Sequence, residues 1–242
     1  QLSNGAEGIF IKNDRFNTTL VSFNFYVPMS QETAAEYALL PFMLTSCGKD
    51  YPDFSLLNYK LAKLYGAQLN SSAEKFGDYQ LLKMHISVIN DRFSMDETSL
   101  VKSASNLLLS LIFEPSVEDG AFFEDDLKRE KRKAIEHIKS QLSEKRIYAK
   151  NRLIEEMFTD SSYGIPKCGT IEDVEKITGK SLYEAWEKML STAFVRVQVV
   201  GATVPTGLFD EVSARFQALN RENITNCKAS LPTPEATTPK TV

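Results

Sequence analysis

Two histidines, His85 and His137, and three cysteines, Cys47, Cys168 and Cys227, are the chain's whole stock of imidazole and thiol. Zinc hydrolysis built on HExxH or HxxEH needs two histidines at near-helical spacing with a glutamate base between them. His85 and His137 lie far apart and build neither motif. No CxxC is present, so a closed structural zinc site also lacks its ligands. No GxGxxG, P-loop or GxSxG occurs. His85 reads as a surface or half-buried strand residue beside Lys83 and Ser87. Cys47, near a helix end, is a candidate reactive thiol. With no His or Asp close to it in sequence, it reads better as structural. Asp125-Asp126 and Glu155-Glu156 are adjacent pairs, which a helix turns about 100° apart, so neither forms an acid–base dyad. The run Lys128-Arg129-Glu130-Lys131-Arg132-Lys133 is balanced by nearby acids and reads as a solvated helix face.

Composition narrows the classes further. The 242 residues are 43% hydrophobic and 25% charged, with 28 Lys+Arg against 32 Asp+Glu. A net charge of −4 is poorly suited to a phosphate backbone, so no nucleic-acid partner is expected. Apolar runs such as Leu107 to Phe113 are too short to span a bilayer, so no membrane partner is expected either. The first five residues, Gln1 to Gly5, show no signal-peptide pattern. Three widely spaced cysteines fit reduced thiols and a cytoplasmic setting.

The elements that would carry any site follow from periodicity. Residues 8–12 read as a strand. Thr18 to Val27 alternates, with Thr19, Val21, Phe23, Phe25 and Val27 on one face. Glu32 to Ser46 is helical, interrupted by Pro41 and closed by Gly48 as a C-cap. Asp53 to Tyr65 is a second helix with a Phe54, Leu57, Leu61, Leu64 stripe and Gly66 as its cap. Gln68 to Lys75 and Tyr79 to Ile89 form a hairpin. Helices follow over Asp96 to Phe113, Glu118 to Glu144 and Arg146 to Phe158. Thr170 with Asp173 and Ser181 with Glu184 resemble capping boxes. Phe194 to Val200 is a strand, and Leu208, Val212, Phe216 and Leu219 mark a last helix. Strands interleaved with helix pairs predict an α+β domain, an antiparallel or mixed sheet with helices mainly on one face. It is expected to fill residues 1–230. Pro232, Pro234 and Pro239 give residues 231–242 linker composition.

An ordered series of segments resembles the N-terminal domain of the insulinase/pitrilysin family, the inverted-zincin peptidases related to mitochondrial processing peptidase. Asn4-Gly5 precedes two strands. Leu61-Ala62-Lys63-Leu64-Tyr65-Gly66-Ala67-Gln68-Leu69-Asn70 is similar to the family's helix–turn–strand segment. Tyr163-Gly164-Ile165-Pro166, Gly169-Thr170 and Ile171-Glu172-Asp173-Val174 resemble a further family segment, and Val199-Val200-Gly201 its late strand. Within that family the chain resembles the bacterial degenerate paralogues that are paired with an active peptidase.

The resemblance implies a zinc helix over Ala34 to Leu44, with HxxEH supplying two ligands and the base and a later glutamate the third ligand. In this chain Ala38-Leu39-Leu40-Pro41-Phe42 occupies the five motif positions. Ala38 and Phe42 replace both histidines, Pro41 replaces the base, and these apolar residues are expected to fill a core. On the later helix Glu130 matches an acidic family position. His137, or alternatively Glu136, stands where the third ligand would be. No catalytic residue and no metal site remain, and zinc is expected only in an active partner. The resemblance thus implies a non-catalytic subunit. It would pair as a heterodimer with an HxxEH-bearing paralogue and help enclose peptide, with the second homologous domain absent here. The alternatives are an active zinc endopeptidase with an atypical site and a purely structural scaffold.

Overall fold

A computed structural model of the chain describes residues 2, 5–95 and 99–227. In order these form β1 (Ala6–Lys12), β2 (Thr18–Pro28), α1 (Ala34–Ser46), α2 (Phe54–Lys63), β3 (Gln68–Phe76), β4 (Tyr79–Ile89) and α3 (Leu100–Phe113). Then come β5 (Val117–Glu118), β6 (Ala121–Phe122), α4 (Glu124–Ser143), α5 (Lys145–Met157), α6 (Ile171–Lys176), α7 (Gly179–Thr192), β7 (Phe194–Gly201) and α8 (Leu208–Ala218). Five strands make one mixed sheet in the order β1-β7-β2-β4-β3. Only the β1–β7 pair is parallel. The expected α+β class is therefore observed, with a mixed sheet.

Strand period two sorts the side chains. Val21, Phe23 and Phe25 lie opposite Ile86, Met84 and Leu82 on one side and Val199, Val197 and Val195 on the other. All nine are buried and form the layer that α1, α3, α7 and α8 cover. The opposite face is polar at its centre, where Asn24 Nδ2 donates to the Arg196 carbonyl at 3.0 Å. Ser22, Asn24 and Tyr26 are buried there too, so β2 is enclosed on both faces rather than on one. A central strand gains that cover from its two neighbours and from the aromatic packing of Tyr26 with Phe76 and Phe194.

Several expected boundaries move for identifiable reasons. The long charged helix begins at Glu124, not Glu118. Asp119 (φ 49°) and Gly120 (φ 72°) turn left-handed and close the β5–β6 hairpin instead. The acids Glu124, Asp125 and Asp126 then fill the first turn, where the helix dipole favours them. Phe123 at its N-cap and Leu142 in its last turn are exposed. The helix expected from Asp96 starts at Leu100, because the Ser99 side chain caps it by accepting from Lys102 N; residues 96–98 lie outside the described residues. The helix expected from Glu32 starts at Ala34.

Thr170 and Asp173 form the expected capping box, whereas the second one uses Thr178 and Ser181, one turn earlier than Ser181 and Glu184. Gly48 is not a left-handed cap. Cys47 ends α1 in extended conformation, and Gly48 is small because a Cβ there would lie 2.7 Å from Leu111 Cδ2. Phe54, expected on the buried stripe of α2, is exposed. Asn4 and the residues 231–242 expected as a linker lie outside the described residues.

The β3–β4 hairpin fixes the geometry of one sheet edge. Phe76 pairs with Tyr79, leaving the two-residue loop Gly77-Asp78. Gly77 alone has positive φ, +60°, the glycine-first pattern of a type II′ turn. The residues flanking such a loop exchange both ladder hydrogen bonds, and the pattern then alternates. Phe76, Glu74, Ser72 and Asn70 therefore bond inward to β4. The backbone N–H and C=O groups of Lys75, Ala73, Ser71 and Leu69 point off the sheet.

Candidate functional site

The motif positions lie on α1, the helix packed across β3 and β4. Ala38 (8% exposed) and Pro41 are buried, but Phe42 is 42% exposed. The expectation that all three fill a core therefore fails at Phe42, which the helix turns to solvent. Pro41 has no N–H to offer the Tyr37 carbonyl. One turn on, the Thr45 hydroxyl donates to the Pro41 carbonyl at 2.8 Å and lies 2.9 Å from Ser71 Oγ on β3. That contact sets α1 against the edge strand. Among the described residues no strand pairs with the outer edge of β3.

Glu130 and His137 share α4 but meet different surroundings. Glu130 is 3% exposed. Its Oε1 accepts from Lys133 Nζ at 2.8 Å and from Arg129 Nε at 3.3 Å. Arg129 Nη1 also reaches Asp126 Oδ1 at 2.8 Å, and Cys47 Sγ at the end of α1 lies 3.6 Å from Asp126 Oδ2. This cluster of charge spans the α1–α4 junction. The i, i+3 spacing of Asp126, Arg129 and Glu130, Lys133 was readable in the sequence; the burial of Glu130 was not. His137 is exposed, with Nε2 2.7 Å from Gln141 Nε2, and Glu136 is exposed beside Arg132.

The zinc that the resemblance implies has no fitting donor set. Neither Ala38 nor Phe42 can coordinate, Glu130 is engaged by two cations, and among the described residues no three His, Cys, Asp or Glu side chains gather to hold a metal. No base stands at position 41 to activate water. The basic run of α4 borders a shallow depression of about 410 Å³ in which Lys128, Lys131 and Arg132 alternate with Glu124 and Glu136. His85 sits half-buried on the polar sheet face. Burial, aided by the Lys83 charge, pulls its imidazole below the ordinary value.

The thiols titrate far from neutrality. Burial pushes Cys47 up to about 11, helped by the neighbouring Asp126 charge, and burial likewise pushes Cys227 up to about 11. Burial pushes Tyr37 up to about 12. A reactive Cys47 is therefore not what the fold builds. The native state holds these thiol protons above the pH, about 8.5–9, where the unfolded chain releases them. Stability from these groups is thus complete below about pH 8.5 and falls as pH rises toward 11. A thermal-melting series from pH 8 to 10.5 is expected to show a steadily falling Tm, with a shallower fall in Cys47→Ala; a flat profile would contradict the burial of these thiols.

No protein-family model matches the chain. It is 28% identical over 197 residues to the probable inactive metalloprotease YmfF of Bacillus subtilis (strain 168), covering 81% of this chain and 46% of that protein. A conserved protein from Enterococcus faecalis V583 superposes with a TM-score of 0.85 at 25% identity, over 92% of this chain and 52% of the other. The peptidase M16 inactive domain from Pseudomonas fluorescens superposes with a TM-score of 0.69 at 15% identity, over 93% of this chain and 51% of the other. The chain therefore spans about half the length of these relatives. The fold is that of an M16 peptidase domain. The chain thus resembles an M16-type domain, and its α1 carries Ala38, Pro41 and Phe42 at the three motif positions. Among the described residues no helix is long and apolar enough to cross a membrane.

Proposed function

We propose that this chain is half of a non-catalytic M16-type subunit that holds an extended peptide along β3 beside an active partner. One observation carries the reading. Among the described residues no strand pairs with the outer edge of β3, which lies next to the α1 face whose motif positions are Ala38, Pro41 and Phe42. A strand can add to such an edge, its main chain supplying affinity and alternate side chains specificity. The domain supplies binding geometry and no hydrolytic chemistry. The active partner is an HxxEH-bearing paralogue that brings the zinc, and a second domain homologous to this one completes the subunit.

The similarity to a probable inactive metalloprotease supports the loss of catalysis. Peptide holding rests on the edge geometry. Anisotropy titration with a fluorescein-labelled, proline-free 15-residue disordered peptide is expected to give saturable binding. Ala73→Pro removes an outward N–H without touching the β4 ladder. It is expected to weaken binding about tenfold or more, about 1.4 kcal/mol. Unchanged binding by Ala73→Pro, or none by the parent, would remove this reading in favour of a scaffold.

A further inference from the structure

Phe42 is the most accessible residue of a helix that is otherwise turned inward. Of the thirteen residues of α1, it alone is exposed, while Glu36 and Thr45 are intermediate and the other ten are buried. A ring left in water in this way costs hydrophobic free energy that an apolar partner would recover. Ala38, Phe42 and Thr45 stand at i, i+4 and i+7, so they share one helix face. Thr45 on that face meets Ser71 at 2.9 Å. Ser71 in turn is one of the residues whose backbone groups point off the sheet, while its side chain faces the helix layer opposite Met84.

These placements define what a strand added to β3 would encounter. Side chains of the added strand alternate between the two sheet faces. Those on the same face as Ser71 look toward α1, whose exposed residue Phe42 stands about one turn from Thr45, the residue that touches Ser71. The Thr45 and Ser71 hydroxyls already face one another, so a polar side chain arriving there would lose water with little to replace it. An aromatic or branched aliphatic side chain would bury both itself and the Phe42 ring.

We propose that Phe42 is the specificity-determining residue of the β3 edge, selecting an extended peptide that presents an aromatic or branched aliphatic side chain opposite Ser71. This rests on the strand-addition reading above. It assigns the second motif histidine position a binding role in place of a metal-binding one.

The test uses a positional series of fluorescein-labelled ten-residue peptides, Thr/Ser/Glu/Lys throughout except for one position set to Phe, Leu, Ser or Asp. Each is also made with alternate N-methylation to block strand pairing. The parent protein is expected to bind the Phe or Leu peptide at least about tenfold tighter than the Ser or Asp peptide at one register, and to bind no N-methylated form. In Phe42→Ser that preference is expected to collapse to within about twofold while the Ser peptide binds as before. Circular dichroism and Tm of the variant confirm folding, since position 42 is solvent-facing. Undiminished preference in Phe42→Ser would overturn the assignment to Phe42 and leave strand addition standing. Failure of the parent to bind any unmethylated peptide would overturn strand addition itself. Self-association of the parent, abolished in Phe42→Ser by sedimentation, would name a second copy as the occupant and overturn the peptide proposal.

Discussion

Purified protein is expected to carry less than about one zinc per ten chains and to leave a fluorogenic peptide uncut. Zinc binding needs deprotonated donors held in a preformed arrangement, and α1 presents a methyl, a pyrrolidine and a phenyl group at the three motif positions. Enzymes accelerate such reactions by about 10⁶-fold or more, so loss of metal and base together returns hydrolysis to the background. The stricter form concerns Ala38→His/Pro41→Glu/Phe42→His. That variant regains two ligands and a base, yet its third ligand is still lacking. Glu130 is held by Lys133 and Arg129, and His137 is exposed beside Gln141. The imidazole introduced by Ala38→His must also fit where the alanine is 8% exposed, which crowds a packed layer. Weak zinc uptake and no hydrolysis are expected from elemental analysis and a chelator-controlled assay. Turnover by the triple variant alone would show that this domain is a complete enzyme scaffold.

Glu130→Ala is expected to cost about 2–3 kcal/mol and to lower Tm by about 5–10 °C. The carboxylate is buried, and its removal takes away two charge-assisted hydrogen bonds, both made within α4. Lys133 is more than half exposed and can rehydrate, which limits the loss; Arg129 is about one-third exposed and has Nη2 buried without a partner. Glu130→Met separates packing from charge. Replacing a buried ionic group by an apolar one of similar volume is often neutral or stabilising. A Met variant as stable as the parent would mean that the carboxylate serves placement rather than stability. A loss equal to that of Ala would mean that charge pairing along α4 stabilises the fold. An unchanged Tm in Glu130→Ala would show that the cluster contributes nothing to stability.

Much of the sheet was readable because its signal is local. The alternation of Leu82, Met84, Ile86 and Val88 needs no knowledge of partners, and those four residues are buried as a set. The displaced features depend on contacts across the fold. Whether Ser181 closes a box with Thr178 or opens one with Glu184 depends on where Gly179 packs. A Cβ there would sit 2.4 Å from the Phe122 carbonyl oxygen. The exposure of Phe42 was hidden for a similar reason. Composition marks α1 as apolar throughout, and only its crossing of β3 decides which single residue is left outside.

The parallel pairing of β1 with β7 has a consequence for how the domain is made. Ala6 meets Val195 and Lys12 meets Gly201, so strands from opposite ends of the described chain sit side by side. β7 also supplies the second neighbour of β2. During synthesis, β2 can pair with β4 as soon as the hairpin emerges, but its other edge stays open until residue 201 has left the ribosome. At about 5–20 residues per second, the roughly one hundred residues in between hold that apolar edge exposed for about 5–20 seconds. Such non-local closure slows folding. It makes the interval before β7 arrives the period in which the nascent chain most needs a chaperone.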